Sequence, residues 1–120
     1  MKESNVQKLI QLALSDAGCV SFRNNCGILK NDAGIPIKFG VGNPGGSDLI
    51  GITPVCITAE MVGQTVGVFT AIEVKTKTGR VRPDQINFMA VVKSHGGLAG
   101  ICRSTDDALR LIAGENNDAN

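Results

Sequence analysis

Ala71-Ile72-Glu73-Val74-Lys75-Thr76-Lys77 is the stretch on which the reading of this 120-residue chain turns. Its alternation predicts a strand, with Glu73 and Lys75 on one face and Ile72 and Val74 on the other. Strand rise separates Glu73 from Lys75 by roughly 6.6–7 Å along the backbone, which leaves space for a metal ion and a water. Upstream, Pro44-Gly45-Gly46-Ser47-Asp48-Leu49-Ile50-Gly51 sets a second acid on a glycine-rich turn that leads into another predicted strand, 48–53. The glycines let the backbone turn sharply and leave room for a phosphate close to the chain. Two carboxylates and a lysine converging at a sheet edge suit divalent-metal hydrolysis of a phosphodiester. Asp48 and Glu73 would be the metal ligands. Lys75 would hold the nucleophilic water or neutralise the charge that develops on phosphorus. Each residue also has an ordinary reading. Asp48 is a common turn residue, and a strand Glu and Lys two apart are usually a solvent-facing pair. The combination, beside a basic run, is what points to chemistry.

The length suits one domain, able to hide roughly 60–70% of its unfolded surface. Hydrophobic content of 42% and charged content of 19% fit a globular chain and exclude a disordered one. The expected domain is 1–113, with 114–120 as a flexible tail. No apolar run approaches the ~20 residues of a membrane helix, and the N-terminus lacks a signal-peptide core, so a cytoplasmic location is expected. Cys19, Cys26, Cys56 and Cys102 form no CxxC pair and read as small buried apolar residues. A zinc site would have to gather them from four separate elements, with His95 as a further ligand. Net charge is only +1, yet Lys75, Lys77, Arg80 and Arg82 are a third of the twelve basic residues. That local patch is compatible with DNA binding, while the tail acids Glu115 and Asp118 pull the total back.

Residues 4–17 predict an amphipathic helix carrying Val6, Leu9, Ile10, Ala13 and Ala17, capped by Ser4 with Gln7 and ended by Gly18. A strand at 19–23 follows. The Gly-, Asn- and Pro-rich stretch 24–46 predicts one or two short strands about a turn at 31–34. Strands are then expected at 48–53, 55–59 and 66–76. Pro83 opens a second helix running to about His95, a strand covers 98–103, and Ser104 or Thr105 caps a last helix at 106–113. The order α-β-β-β-β-α-β-α predicts a mixed α/β or α+β domain with a central sheet flanked by helices.

Gly46-Ser47-Asp48, Glu73-Val74-Lys75, and Lys77-Thr78-Gly79-Arg80-Val81-Arg82-Pro83-Asp84-Gln85 together resemble the PD-(D/E)xK nuclease superfamily. More narrowly they resemble its VRR-NUC (virus-type replication-repair nuclease) family, over almost the whole chain. The resemblance implies Asp48 and Glu73 as metal ligands, with the Val74 carbonyl completing the shell, and Lys75 as the catalytic lysine. It implies Gln85 as a polar helix residue facing the site. It implies Glu3 as a further acid near the metal, acting directly, through water or through a second ion. Ser47 stands where the family name has proline, a residue that shapes the turn and performs no chemistry. Mg²⁺ or Mn²⁺ is the implied cofactor, and Lys77, Arg80, Arg82 and Ser47 are the expected DNA contacts.

Four Phe with no Tyr or Trp leave little platform for base stacking, which is worth roughly 1–3 kcal/mol per base where used. Backbone and shape recognition of duplex or branched DNA is the expected mode. Stand-alone members of the resembled family look like homodimeric four-way-junction resolvases, and a twofold pair of sites matches two equivalent scissile phosphates. The resemblance also points to a phage or prophage source, hence host cytoplasm. The 24–46 segment is the expected place for packing or exchange between subunits. The rival readings are a non-catalytic nucleic-acid-binding module with the same fold and a small regulatory protein without a DNA role.

Overall fold

The computed structural model describes residues 2–114, so all but the first residue of the expected tail lies outside the described residues. The chain divides into two compact units, one ending at Gly51 and one beginning at Ile52.

The first unit opens with α1 (Glu3–Asp16). Its N-cap is Lys2, with no side-chain cap bond, so Ser4 lies within the first turn and the expected Ser4–Gln7 capping box does not form. A helix can begin there because Glu3 supplies a favourable acid at its N-terminus. Its end falls as expected around Gly18, where Ala17 N–H donates to Ala13 O at 3.1 Å and Cys19 N–H to Leu14 O at 2.9 Å. The apolar stripe of Val6, Leu9 and Ile10 remains exposed. β1 (Val20–Arg23) pairs with β4 (Leu49–Ile52).

Between them β2 (Gly27–Lys30) and β3 (Pro36–Phe39) form an antiparallel hairpin, with Gly27 opposite Phe39 and Lys30 opposite Pro36. The turn at 31–34 appears where its residues predict it. Asn31 Oδ1 accepts from the Ala33 and Ile35 N–H groups at 2.9 Å each, and Gly34 takes a φ of +77° that other residues rarely adopt.

In the second unit β5 (Thr70–Val74) and β6 (Leu98–Cys102) are parallel, with Glu73 opposite Ile101 and Val74 opposite Cys102. Parallel neighbours need a crossover, and α2 (Pro83–Ser94) supplies it. Its bounds match the Pro83 start and the Gly96-Gly97 stop. α3 (Thr105–Ile112) is capped by Ser104, whose Oγ accepts from Asp107 N–H at 3.1 Å. β6 is buried because α2 and α3 both pack on it. Among the described residues the buried hydrophobic ones are Ile52, Met89, Val92, Ala99, Ile101, Cys102 and Leu111.

The class is mixed α+β as expected, but the order differs in detail. Five strands, not four, precede α2. The expected strand at 55–59 is absent. Val55 and Ile57 are exposed there, and a 3₁₀ turn occupies Ala59–Met61. β-branched residues favour a strand only when a ladder and a packing face receive them, and these have neither. β5 is shorter than 66–76 because its partner sets the ladder. Gly97 N–H still closes the end of α2 on Val92 O, and pairing starts with Leu98 N–H to Phe69 O at 2.8 Å. Among the described residues the strands form three two-stranded pairs, β1–β4, β2–β3 and β5–β6, where one central sheet was expected. Cys102 is buried as expected and Cys19 is half-buried, whereas Cys26 and Cys56 are exposed.

Candidate active site

The burial of β5 alternates strictly. Ala71 and Glu73 are half-buried, and Ile72 and Val74 are exposed. Lys75 lies one residue past the strand, but its N–H donates to Cys102 O at 3.1 Å, which extends the ladder and keeps Lys75 half-buried on the Glu73 side. The ordinary reading of a solvent-facing charged pair is therefore inverted. The charged pair takes the covered face and the apolar pair takes the open one.

The first half of α2 packs beside β5. Glu73 shares a cavity of about 240 Å³ with its strand neighbours Ala71 and Ile72 and with Arg82, Asp84, Gln85, Phe88 and Met89. Arg82 Nε lies 3.0 Å from Asp84 Oδ1, with Nη2 3.5 Å from Oδ2. This hydrogen bond raises the guanidinium pKa further, with added contributions from the charges of Asp84 and Glu73. The same bond holds the Asp84 carboxyl below the usual carboxylate range. Arg82, expected as a DNA contact, thus belongs electrostatically to the cavity. Gln85 Oε1 accepts from Arg82 N–H at 3.0 Å and caps the helix. Its amide nitrogen has no partner among the described residues, so Gln85 can cap α2 and still offer a donor to the cavity.

Asp48 and Ser47 stand in the first unit, at the end of the 41–48 loop, both exposed. This loop is shaped by Asn24, a residue the sequence reading passed over. Asn24 Oδ1 accepts from Val41 N–H, its Nδ2 donates to Val41 O and Ser47 O, and its backbone N–H donates to Asp48 O, all at 2.9 Å. Asn43 Nδ2 adds bonds of 2.8 Å to Gly27 O and Phe39 O. Gly46 is required by close approach, because a Cβ there would sit 2.0 Å from Val41 O. The glycines therefore let the loop pack against itself, beyond the freedom to turn inferred from sequence. Glu3 lies in the first turn of α1 and is exposed.

Lys77 and Arg80 are exposed on and beside the turn that follows β5. Arg103, also missed from sequence, holds that turn through backbone carbonyls. Its Nη1 donates to Thr76 O at 2.6 Å and Gly79 O at 2.8 Å. No composition or spacing signal marks Asn24 or Arg103, since both act on backbone groups far away in sequence. The structure thus joins Glu73, Arg82 and Gln85 at one cavity, with Lys75 half-buried just past the end of β5, while Asp48, Ser47 and Glu3 belong to the other unit.

The VRR-NUC domain model matches residues 22–106, from within β1 into α3. The chain belongs to the VRR-NUC family. No curated protein and no solved structure matches it significantly. The match covers Asp48, Glu73, Lys75, Gln85, Asn24 and Arg103 and leaves Glu3 outside. VRR-NUC is a PD-(D/E)xK-like fold of nuclease domains, which act on DNA and generally use divalent metals. Among the described residues no three His, Cys, Asp or Glu side chains cluster as a metal cage. Within the second unit Glu73 and the Val74 carbonyl offer oxygen donors only. That fits a hard cation bound by one or two carboxylates and otherwise hydrated. Among the described residues no helix is long and apolar enough to cross a membrane.

Proposed function

We propose that this VRR-NUC chain is a Mg²⁺- or Mn²⁺-dependent DNA endonuclease, one nuclease module over residues 1–113, that cuts branched DNA as a resolvase-like homodimer. The observation that carries the reading is the half-buried Glu73–Lys75 face beside the Gln85 cavity, within a chain of a nuclease family. A carboxylate and a lysine on the covered face of a short strand are poor choices for packing alone, since burial disfavours both charges. They suit a site where water is restricted and charge develops.

Asp48 and Glu73 act as the carboxylate ligands, with the Val74 carbonyl as a third donor and Glu3 acting directly, through water or through a second ion. When bound, the metal supplies an activated water and charge neutralisation at the scissile phosphate. Lys75 orients the attacking water or meets the negative charge on the phosphoryl oxygens. Gln85 directs its amide donor to substrate or water. Lys77, Arg80 and Ser47 contact the backbone. Arg82, paired with Asp84 beside Glu73, offers one more phosphate contact when that pair opens.

The sequence contains no Trp or Tyr for stacking. Selection of the substrate therefore rests on DNA shape and phosphates. The test is a matched panel of four-way junction, flap, plain duplex and single strand, with and without Mn²⁺. The proposal expects Mn²⁺-dependent cutting with the junction preferred. Binding without cutting of any substrate would replace it with the non-catalytic module. Binding indifferent to salt would remove the DNA role altogether.

A further inference from the structure

Arg103 spends its charge on backbone. Its Nη1 lies 2.6 Å from Thr76 O, 2.8 Å from Gly79 O and 3.4 Å from Lys77 O. The turn they belong to has one backbone bond of its own, Gly79 N–H to Thr76 O at 3.2 Å. The base of this clamp is fixed by the start of α3. Arg103 N–H donates to Asp107 Oδ2 at 2.8 Å, Ser104 Oγ caps the Asp107 N–H, and Asp107 also pairs with Arg110.

A carbonyl is the negative end of its peptide dipole. Drawing the three carbonyls of this turn onto one guanidinium turns them away from any anion that approaches the other side. Lys77 and Arg80 remain exposed on and beside the turn. Without the clamp, two like charges on an untethered loop would separate and seldom meet neighbouring phosphates together.

We infer that Arg103 is a positioning residue for binding the phosphodiester backbone: it holds the 76–79 turn so that Lys77 and Arg80 engage phosphates as a pair. This rests on the DNA reading above and adds to it a residue that acts through others. The alternative, direct contact between Arg103 and a phosphate, makes a different prediction because the effects would add.

The experiment measures binding of the full-length protein to a labelled four-way junction across a salt series. A chelator is present so that nothing is cut. The proteins are wild type, R103M, K77A/R80A and the triple variant. Each phosphate contact contributes about −0.9 to the log–log slope. R103M is expected to flatten the slope by about 1.8, the loss of two contacts at that value each, and to change nothing further in the K77A/R80A background. A flattening of about 0.9 from R103M in both backgrounds would show direct contact and overturn the inference, as would an unmoved slope in R103M. If R103M does not fold, R103K takes its place. Direct contact predicts that lysine keeps the wild-type slope, whereas the clamp predicts a loss that disappears in the K77A/R80A background. A wild-type protein with no salt-dependent binding would overturn the DNA reading and the inference with it. Wild-type binding with an indifferent Arg103 variant would overturn the inference alone.

Discussion

Replacing Asn24 should damage both the stability and the chemistry of this protein. Its side chain makes three hydrogen bonds of 2.9 Å to Val41 N–H, Val41 O and Ser47 O, and so ties together both ends of the 41–48 loop. A net worth of about 1 kcal/mol per bond, discounted for half-burial, gives about 2 kcal/mol for Asn24→Ala. That corresponds to a melting temperature lower by about 5–10 °C. The chemical effect should be larger. Ser47 and the proposed ligand Asp48 are placed by this hub, and a displacement of about 1 Å at a catalytic group costs on the order of 100-fold in rate. Asn24→Asp sharpens the test. It keeps the size and the acceptor for Val41 N–H, but sets a carboxylate oxygen against two carbonyls, so it should be at least as harmful as alanine. Thermal melts followed by circular dichroism read the first effect. Single-turnover cleavage of a junction at saturating Mn²⁺, well below the melting range, reads the second. A wild-type melt and rate for Asn24→Ala would refute the reasoning. A lowered melt with an unchanged rate would reduce Asn24 to a purely structural residue.

The remaining predictions concern packing, acid and assembly. Gly46→Ala would place a methyl 2.0 Å from Val41 O, so the loop backbone must move, and a lower melting temperature with slower cleavage is expected. A wild-type melt and rate would show that the loop is not tightly packed in solution. Asp107 is held below the usual carboxylate range, first by the Arg103 N–H and then by Arg110. A lowered folded-state pKa gives stability that is complete above about pH 4 and is lost as pH falls through the folded value. The melting temperatures of wild type and Asp107→Asn should therefore differ at neutral pH and converge below about pH 4; a gap that widens in acid would contradict this. Light scattering should give twice the 12.5 kDa chain mass, and the chain mass itself would remove the dimer.

Much of the fold was legible because local signals agreed with tertiary demands. Pro83, the Gly96-Gly97 stop, the Asn31–Gly34 turn and Ser104 each mark an element boundary by a bond or conformation that the residue itself provides. The signals failed where a partner decides. Val55 and Ile57 carry strand propensity but no ladder, and Val66 and Val68 outrun the length of β6. Ser4 could have capped α1, yet the helix starts a residue earlier on Glu3. In the candidate site, period-two spacing correctly put Glu73 and Lys75 on one face of β5, but not which face is covered. Arg82 looked like a free basic residue because its pairing with Asp84 depends on side-chain reach across a helix start. Asn24 and Arg103 gave no signal because carbonyl groups 17 and 27 positions away carry no side-chain mark.

The claim that the covered face of β5 performs the chemistry is tested most directly by separating cutting from holding. Junction cleavage with Mn²⁺ and junction binding in chelator should be measured for wild type, Glu73→Gln, Lys75→Ala and Asp48→Asn. The account predicts cleavage reduced on the order of 1,000-fold or more in each variant, in line with loss of a group that stabilises the transition state, while affinity stays within a few-fold. Cleavage that survives Glu73→Gln or Lys75→Ala would contradict it.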